Sequence, residues 1–132
     1  MAERSVQYNH LEEKISIVTG DIKEAAEIFG PVSFDVITTN PPYMIGQHGI
    51  ANASDTKTIA RHEVLCTLDD ILRESAKILK QKGRFYMVHR PERLVDIIAT
   101  MRECKIEPKE IRFVCSTYGK EPKLILIKGI KN

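Results

Sequence analysis

The apolar positions of this 132-residue chain fall into short runs whose spacing switches between strand-like and helix-like periods. Residues 2–12 predict a helix with Val6 and Leu11 turned inward, and residues 15–18 a short strand built on Ile15, Ile17 and Val18. Residues 22–29 predict a short helix, capped by Asp21 and stopped at Gly30-Pro31. Phe34, Val36 and Ile37, followed by two β-branched threonines, predict a buried strand. The clearest helix runs over 62–80, where Leu65, Leu68, Leu72 and Leu79 keep one face and Lys82-Gly83 ends it. Residues 83–89 then predict a strand, and Arg90-Pro91-Glu92 turns the chain into a helix through Leu94, Val95, Ile97, Ile98 and Met101. The last two strands are expected at 110–116 and 123–128, joined through Tyr118-Gly119-Lys120-Glu121-Pro122 as an antiparallel hairpin. The run Leu124-Ile125-Leu126-Ile127 predicts burial on both faces of its strand.

Strands alternating with helices and closed by a hairpin predict an α/β domain, one unit over 1–132. The strand beginning at Phe34 ends in Asn40-Pro41-Pro42-Tyr43. Two successive prolines remove two backbone donors and fix both φ angles, so the strand must stop there. The carboxyl end of a strand in an open α/β sheet is where ligands bind. The tetrapeptide suits chemistry on a planar amino group, whose delocalised lone pair makes it a poor nucleophile. The Asn40 side-chain oxygen and the Pro41 carbonyl can accept its two N–H groups, and Tyr43 can stack on the ring. The plain structural alternative is a Pro-Pro loop capping a strand, with Tyr43 packed. The 17-residue connection over 44–60 is longer than most and reads as a substrate-side lid, with His48 an exposed loop residue.

Composition narrows the class. Hydrophobic residues at 42% and charged ones at 29% are those of a soluble globular domain. No apolar run approaches the roughly 20 residues of a membrane span, and the polar Met1-Ala2-Glu3-Arg4-Ser5 start shows no secretion signal. Cys66, Cys104 and Cys115 form no Cys-x-x-Cys pair, and they read as buried free thiols of a cytoplasmic protein without a metal site. His62-Glu63 is not a metalloprotease helix, because Cys66 stands where the second histidine would be. The net charge is +2, but residues 1–72 hold 5 basic and 11 acidic side chains, whereas residues 73–132 hold 15 and 7. The basic half could attract a polyanion.

Asn-Pro-Pro-Tyr after such a strand resembles motif IV of the class I S-adenosylmethionine-dependent amino-methyltransferases. Arg4-Ser5-Val6, Tyr8-Asn9 and Leu11-Glu12, then Ile59-Ala60-Arg61-His62-Glu63, and above all Val88-His89-Arg90-Pro91-Glu92-Arg93-Leu94 are similar to the bacterial tRNA1(Val) adenine-37 N6-methyltransferase-like family. The resemblance implies an RNA substrate, with tRNA expected, and catalysis by Asn40, Pro41, Pro42 and Tyr43 without a metal. It implies S-adenosylmethionine as cofactor, with Asp21 accepting a hydrogen bond from its adenine amino group, Ile22 supplying an N–H and an apolar contact, and Asn40 lining the methyl end. Arg61 and His62 would sit at the rim of the site.

The family's Gly-x-Gly turn and its ribose-binding acid have no counterpart, since no two glycines are separated by one residue. Aligned to the family pattern, the chain reads as the carboxyl-terminal part of the catalytic domain, a truncated Rossmann-like sheet, mostly parallel with a C-terminal antiparallel hairpin. Weak or no cofactor binding is therefore expected of it alone. The family's strand order implies a gap that direct pairing of residues 15–18 with the Phe34 strand would close, with a homodimer contact covering the remaining apolar surface. A protein-glutamine N5-methyltransferase presents the same planar amide chemistry, and a catalytically dead RNA-binding or assembly module is the reading from another class. The basic carboxyl half favours RNA.

Overall fold

The computed structural model describes residues 1–41 and 68–132. Helix α1 (Ala2–Tyr8) leads to a 3-10 turn (Ile22–Glu24), α2 (Ala25–Phe29) and strand β1 (Phe34–Thr39). Helix α3 (Leu68–Ile78) runs directly into β2 (Leu79–His89). A second 3-10 turn (Pro91–Arg93), α4 (Leu94–Glu103), β3 (Ile106–Cys115) and β4 (Pro122–Lys131) complete the order.

The four strands form one sheet in the order β1-β2-β4-β3, with β1 parallel to β2 and β4 antiparallel to both its neighbours. The expected mostly parallel sheet is thus corrected: one pairing is parallel and two are antiparallel. Three strands nevertheless share a direction, so β1, β2 and β3 all end at the same edge.

Residues 15–18 form no strand, and Ile15, Ile17 and Val18 are exposed. Direct pairing with the Phe34 strand is therefore not what the chain does: among the described residues β1 is hydrogen-bonded to β2 alone. Strand propensity is realised only through a paired neighbour, and an unpaired apolar tripeptide gains nothing from being extended.

Local signals held where they close on themselves. Helix α1 ends at Tyr8 rather than residue 12, because His10 takes φ 56°. Its N–H donates to the Gln7 carbonyl at 3.1 Å and that of Leu11 to the Val6 carbonyl at 3.0 Å, satisfying two end carbonyls. At the 3-10 turn the Lys23 N–H donates to Asp21 Oδ1 at 2.9 Å, and α2 stops at Gly30 with φ 83°.

The helix expected over 62–80 is seen from Leu68, residues 62–67 lying outside the described set, and it ends at Ile78, four residues before Lys82. Leu79 already pairs with Phe34, and the ladder resumes at Val36 with Arg84, so residues 80–83 bulge against Asp35 alone. The end of α3 is satisfied from elsewhere: the Val32 and Ser33 N–H groups donate to the Lys77 and Ile78 carbonyls at 2.9 and 2.7 Å.

Helices α3 and α4 cover one face of the sheet. Ile71, Leu72, Leu79, Phe85, Met87, Ile97, Met101, Ile106, Ile125 and Ile127 form the core between them. Gly129 lies under this layer, where a Cβ would come within 2.7 Å of Ile106 Cγ2, so only glycine lets β4 pass beneath α4. Glu74, buried in α3, fastens α2 to this layer: its carboxylate accepts the Ala26 N–H at 3.2 Å and the Lys77 ammonium at 2.6 Å.

The opposite face is open among the described residues. The expected burial of β4 on both faces is corrected, because Ile125 and Ile127 are buried while Leu126 is 38% exposed. The buried-thiol reading also fails at Cys115, which is exposed on the outer half of β3; Cys104 is half-buried and its thiol is pushed up in pKa chiefly by that burial.

Candidate functional site

The site is built at the edge where β1 and β2 end. Ile37 anchors β1 against the core, and Phe29 braces Phe34 edge-on with ring centroids 5.2 Å apart. Thr39, the last strand residue, stands beside Met87 of β2. Asn40 and Pro41 therefore leave the sheet next to Val88 and His89. Asn40 is exposed at this edge and Pro41 is buried. The expected chemistry would need Asn40 at the surface and the Pro41 backbone held by packing, and the exposure of the two residues agrees with that. Pro42, Tyr43, His48, Arg61, His62, Cys66 and the expected lid over 44–60 lie outside the described residues.

Asp21 and Ile22 sit on a different element, the 3-10 turn that packs against α3. Asp21 is exposed and its Oδ1 accepts the Lys23 N–H, so the cap role is observed. A carboxylate has further lone pairs, and the exposed group could still accept from an adenine amino group. Ile22 is half-buried against the core.

His89 was legible only as part of a family-like run, yet it is the buried titratable group next to Pro41. The residue is 4% exposed and its Nδ1 accepts the Arg90 N–H at 2.8 Å. The neutral ring consequently carries its proton on Nε2. Burial holds its pKa below the usual imidazole value, helped by the cationic Arg93 and Arg90 and opposed by Glu92. Arg93 is in turn paired with Asp96 at 3.1 Å. A histidine ending an apolar strand was the available sequence signal.

The sign of the pH effect follows. Between the lowered folded value and the unfolded value of about 6.5, the unfolded chain binds more protons. Stability due to His89 is thus complete above about pH 6.5 and declines as pH falls through that window, by at most about 1.4 kcal/mol per pH unit for one proton. Urea titrations of the wild type and His89→Gln between about pH 7.5 and pH 5 should show a shallower decline in the variant. Parallel pH dependences would show that His89 is not the group responsible.

On the open face a trough of about 630 Å³ runs from Thr38 and Thr39 across Tyr86 and Val88 to Arg112. Among the described residues no group of three or more His, Cys, Asp or Glu side chains could hold a metal ion, and no helix is long and apolar enough to cross a membrane.

No protein-family model matches the chain. Its fold is that of the S-adenosylmethionine-dependent methyltransferases. A protein of Agrobacterium tumefaciens described as a predicted O-methyltransferase superposes with a TM-score of 0.73 at 19% identity, over 99% of this chain and 56% of its own. Other solved chains of this fold hold S-adenosylmethionine or S-adenosylhomocysteine.

The curated homologues are more particular: they are named tRNA1(Val) (adenine(37)-N6)-methyltransferase. That of Parabacteroides distasonis is 33% identical over 98 residues, which is 74% of this chain and 40% of the relative. That of Porphyromonas gingivalis is 27% identical over 116 residues, 86% of this chain and 45% of the relative. The resemblance read from the motifs therefore holds as homology. The chain spans about half the length of the curated relatives it matches.

Proposed function

We propose that the chain is the substrate-amine half of an RNA methyltransferase, acting on the exocyclic N6 of adenine in tRNA. The observation that carries this reading is an exposed Asn40 followed by a buried Pro41 at the carboxyl end of β1, in a chain homologous to proteins named for that reaction. The base must leave its stack to reach such an edge. The Asn40 Oδ1 and the Pro41 carbonyl would accept the two N–H groups and draw the nitrogen toward tetrahedral geometry. The lone pair so released points away from both acceptors, toward the methyl donor. S-adenosylmethionine, when bound, supplies a methyl group on a sulfonium. As the methyl–sulfur bond would break, leaving a neutral thioether, and the C–N bond form, the nitrogen would become cationic, and its more acidic N–H groups would bind both acceptors more strongly before one proton passed to water.

For the cofactor, the exposed Asp21 and the half-buried Ile22 fit its adenine end, whereas no Gly-x-Gly turn is present in this sequence to receive the rest. Binding by this chain is therefore expected to be weak. The test is a single-turnover assay with the chain in excess over a tRNA1(Val) transcript and millimolar radiolabelled cofactor. Label should appear in N6-methyladenine after digestion. Label confined to another base, or none above a chain-free control, would refute the reading.

A further inference from the structure

The outer half of the β3–β4 hairpin projects beyond the helices, and residues 110–123 are exposed throughout. Because β3 runs with β1 and β2, its tip lies at the same edge as Asn40. The ladders set Thr39 level with Met87, Ile127 and Ile111, so the tip stands two to three strand spacings to the side and up to about 20 Å further along the strand direction than Asn40. The tip is a defined turn rather than a loose loop. The Lys120 N–H donates to the Thr117 carbonyl at 3.1 Å, and Gly119 takes φ 84°, as the third residue of a type II turn does.

This geometry places Tyr118 at the turn's corner with its side chain fully exposed, at 107% of the reference area. An aromatic ring held out by a closed turn, and packed on nothing, has no structural duty there. Lys120 and Lys123 follow it closely in the chain, and over residues 110–123 Arg112, Lys120 and Lys123 stand against Glu110 and Glu121. Cations around a presented ring are the chemistry of unpaired nucleic acid, in which bases stack on aromatic faces and phosphates meet lysine and arginine. Ile111, Phe113 and Val114 are also exposed on β3, but they lie along the strand, whereas the turn itself presents Tyr118 beside lysines.

We propose that the hairpin tip is an RNA-binding arm, on which Tyr118 stacks an unpaired base of the substrate away from the target adenine while Lys120 and Lys123 hold its phosphates. The inference rests on the RNA reading above and adds to it a contact outside the catalytic edge.

The test is fluorescence anisotropy of the whole chain with a labelled tRNA1(Val) transcript, titrated at several salt concentrations. Tyr118→Ala should weaken binding at least fivefold, and Tyr118→Phe less than twofold, because stacking needs the ring and not the hydroxyl. Lys120→Ala and Lys123→Ala should each lower the slope of log affinity against log salt by about 0.7. All three side chains are exposed, so these variants leave the core intact. If the wild type binds and Tyr118→Ala weakens binding less than fivefold, the arm is refuted and the RNA reading stands. Equal losses in Tyr118→Ala and Tyr118→Phe would also refute stacking. If the wild type shows no saturable binding, both fall.

Discussion

Replacing Asn40 by alanine is expected to lower single-turnover methyl transfer to adenine by at least tenfold while leaving RNA affinity within a few-fold. Tenfold corresponds to ~1.4 kcal/mol of barrier. The reason for the split lies in when the interaction strengthens. A neutral amino group is a modest donor to an amide oxygen, but the nitrogen turning cationic during transfer donates far more strongly, so the loss falls on the transition state. Removing one aligned hydrogen-bonding group from such a site typically costs about 10²–10³ in rate. Asn40 is exposed and lies outside the core, so its loss should leave the core packing intact. Asn40→Asp keeps an oxygen acceptor and should recover part of the rate. An Asn40→Ala chain retaining more than about a tenth of the wild-type rate would remove Asn40 from the role assigned to it.

The largest expected effect on folding is at Phe85. Its side chain is fully buried in β2, which has strands on both sides, and it packs in the layer beneath α3 and α4. Phe85→Ala should destabilise the chain by about 3–5 kcal/mol, from lost transfer energy and the cavity left behind. Among the described residues there is one core layer, so this is a large share of the ~5–15 kcal/mol that folded domains have. Phe85→Leu should lose distinctly less, since it keeps much of the volume. Urea unfolding followed by circular dichroism measures both. A loss below about 1 kcal/mol in Phe85→Ala would mean that the site collapses around the missing ring.

The sequence by itself determined the features whose hydrogen bonds close within a few residues. Asp21 reaches the Lys23 N–H two positions on, Gly30 and Pro91 bound their helices, and Gly119 makes the turn. The end of the strand at Asn40-Pro41 was legible for a local reason too, because two successive prolines remove two backbone donors, whereas the single Pro108 is tolerated inside β3. The alternation of the Phe34 strand and the homology-bearing motifs were enough to give the class of chemistry.

Only the tertiary structure decided matters that depend on a distant neighbour. Ile15, Ile17 and Val18 have the composition of a strand, but β1 offers them no paired edge among the described residues, and backbone groups left to water do not hold a strand in place. The helix ends at Ile78 because Leu79 finds Phe34 across the sheet. Leu126 and Ile127 are equally apolar neighbours, yet the helices lie on one face, so only Ile127 is buried. Likewise the placing of His89 on the strand beside the one that ends at Asn40-Pro41, and the direction in which the Tyr118 turn points, follow from strand order and direction. Pairing partners far apart in sequence set both, and no local run of residues encodes them.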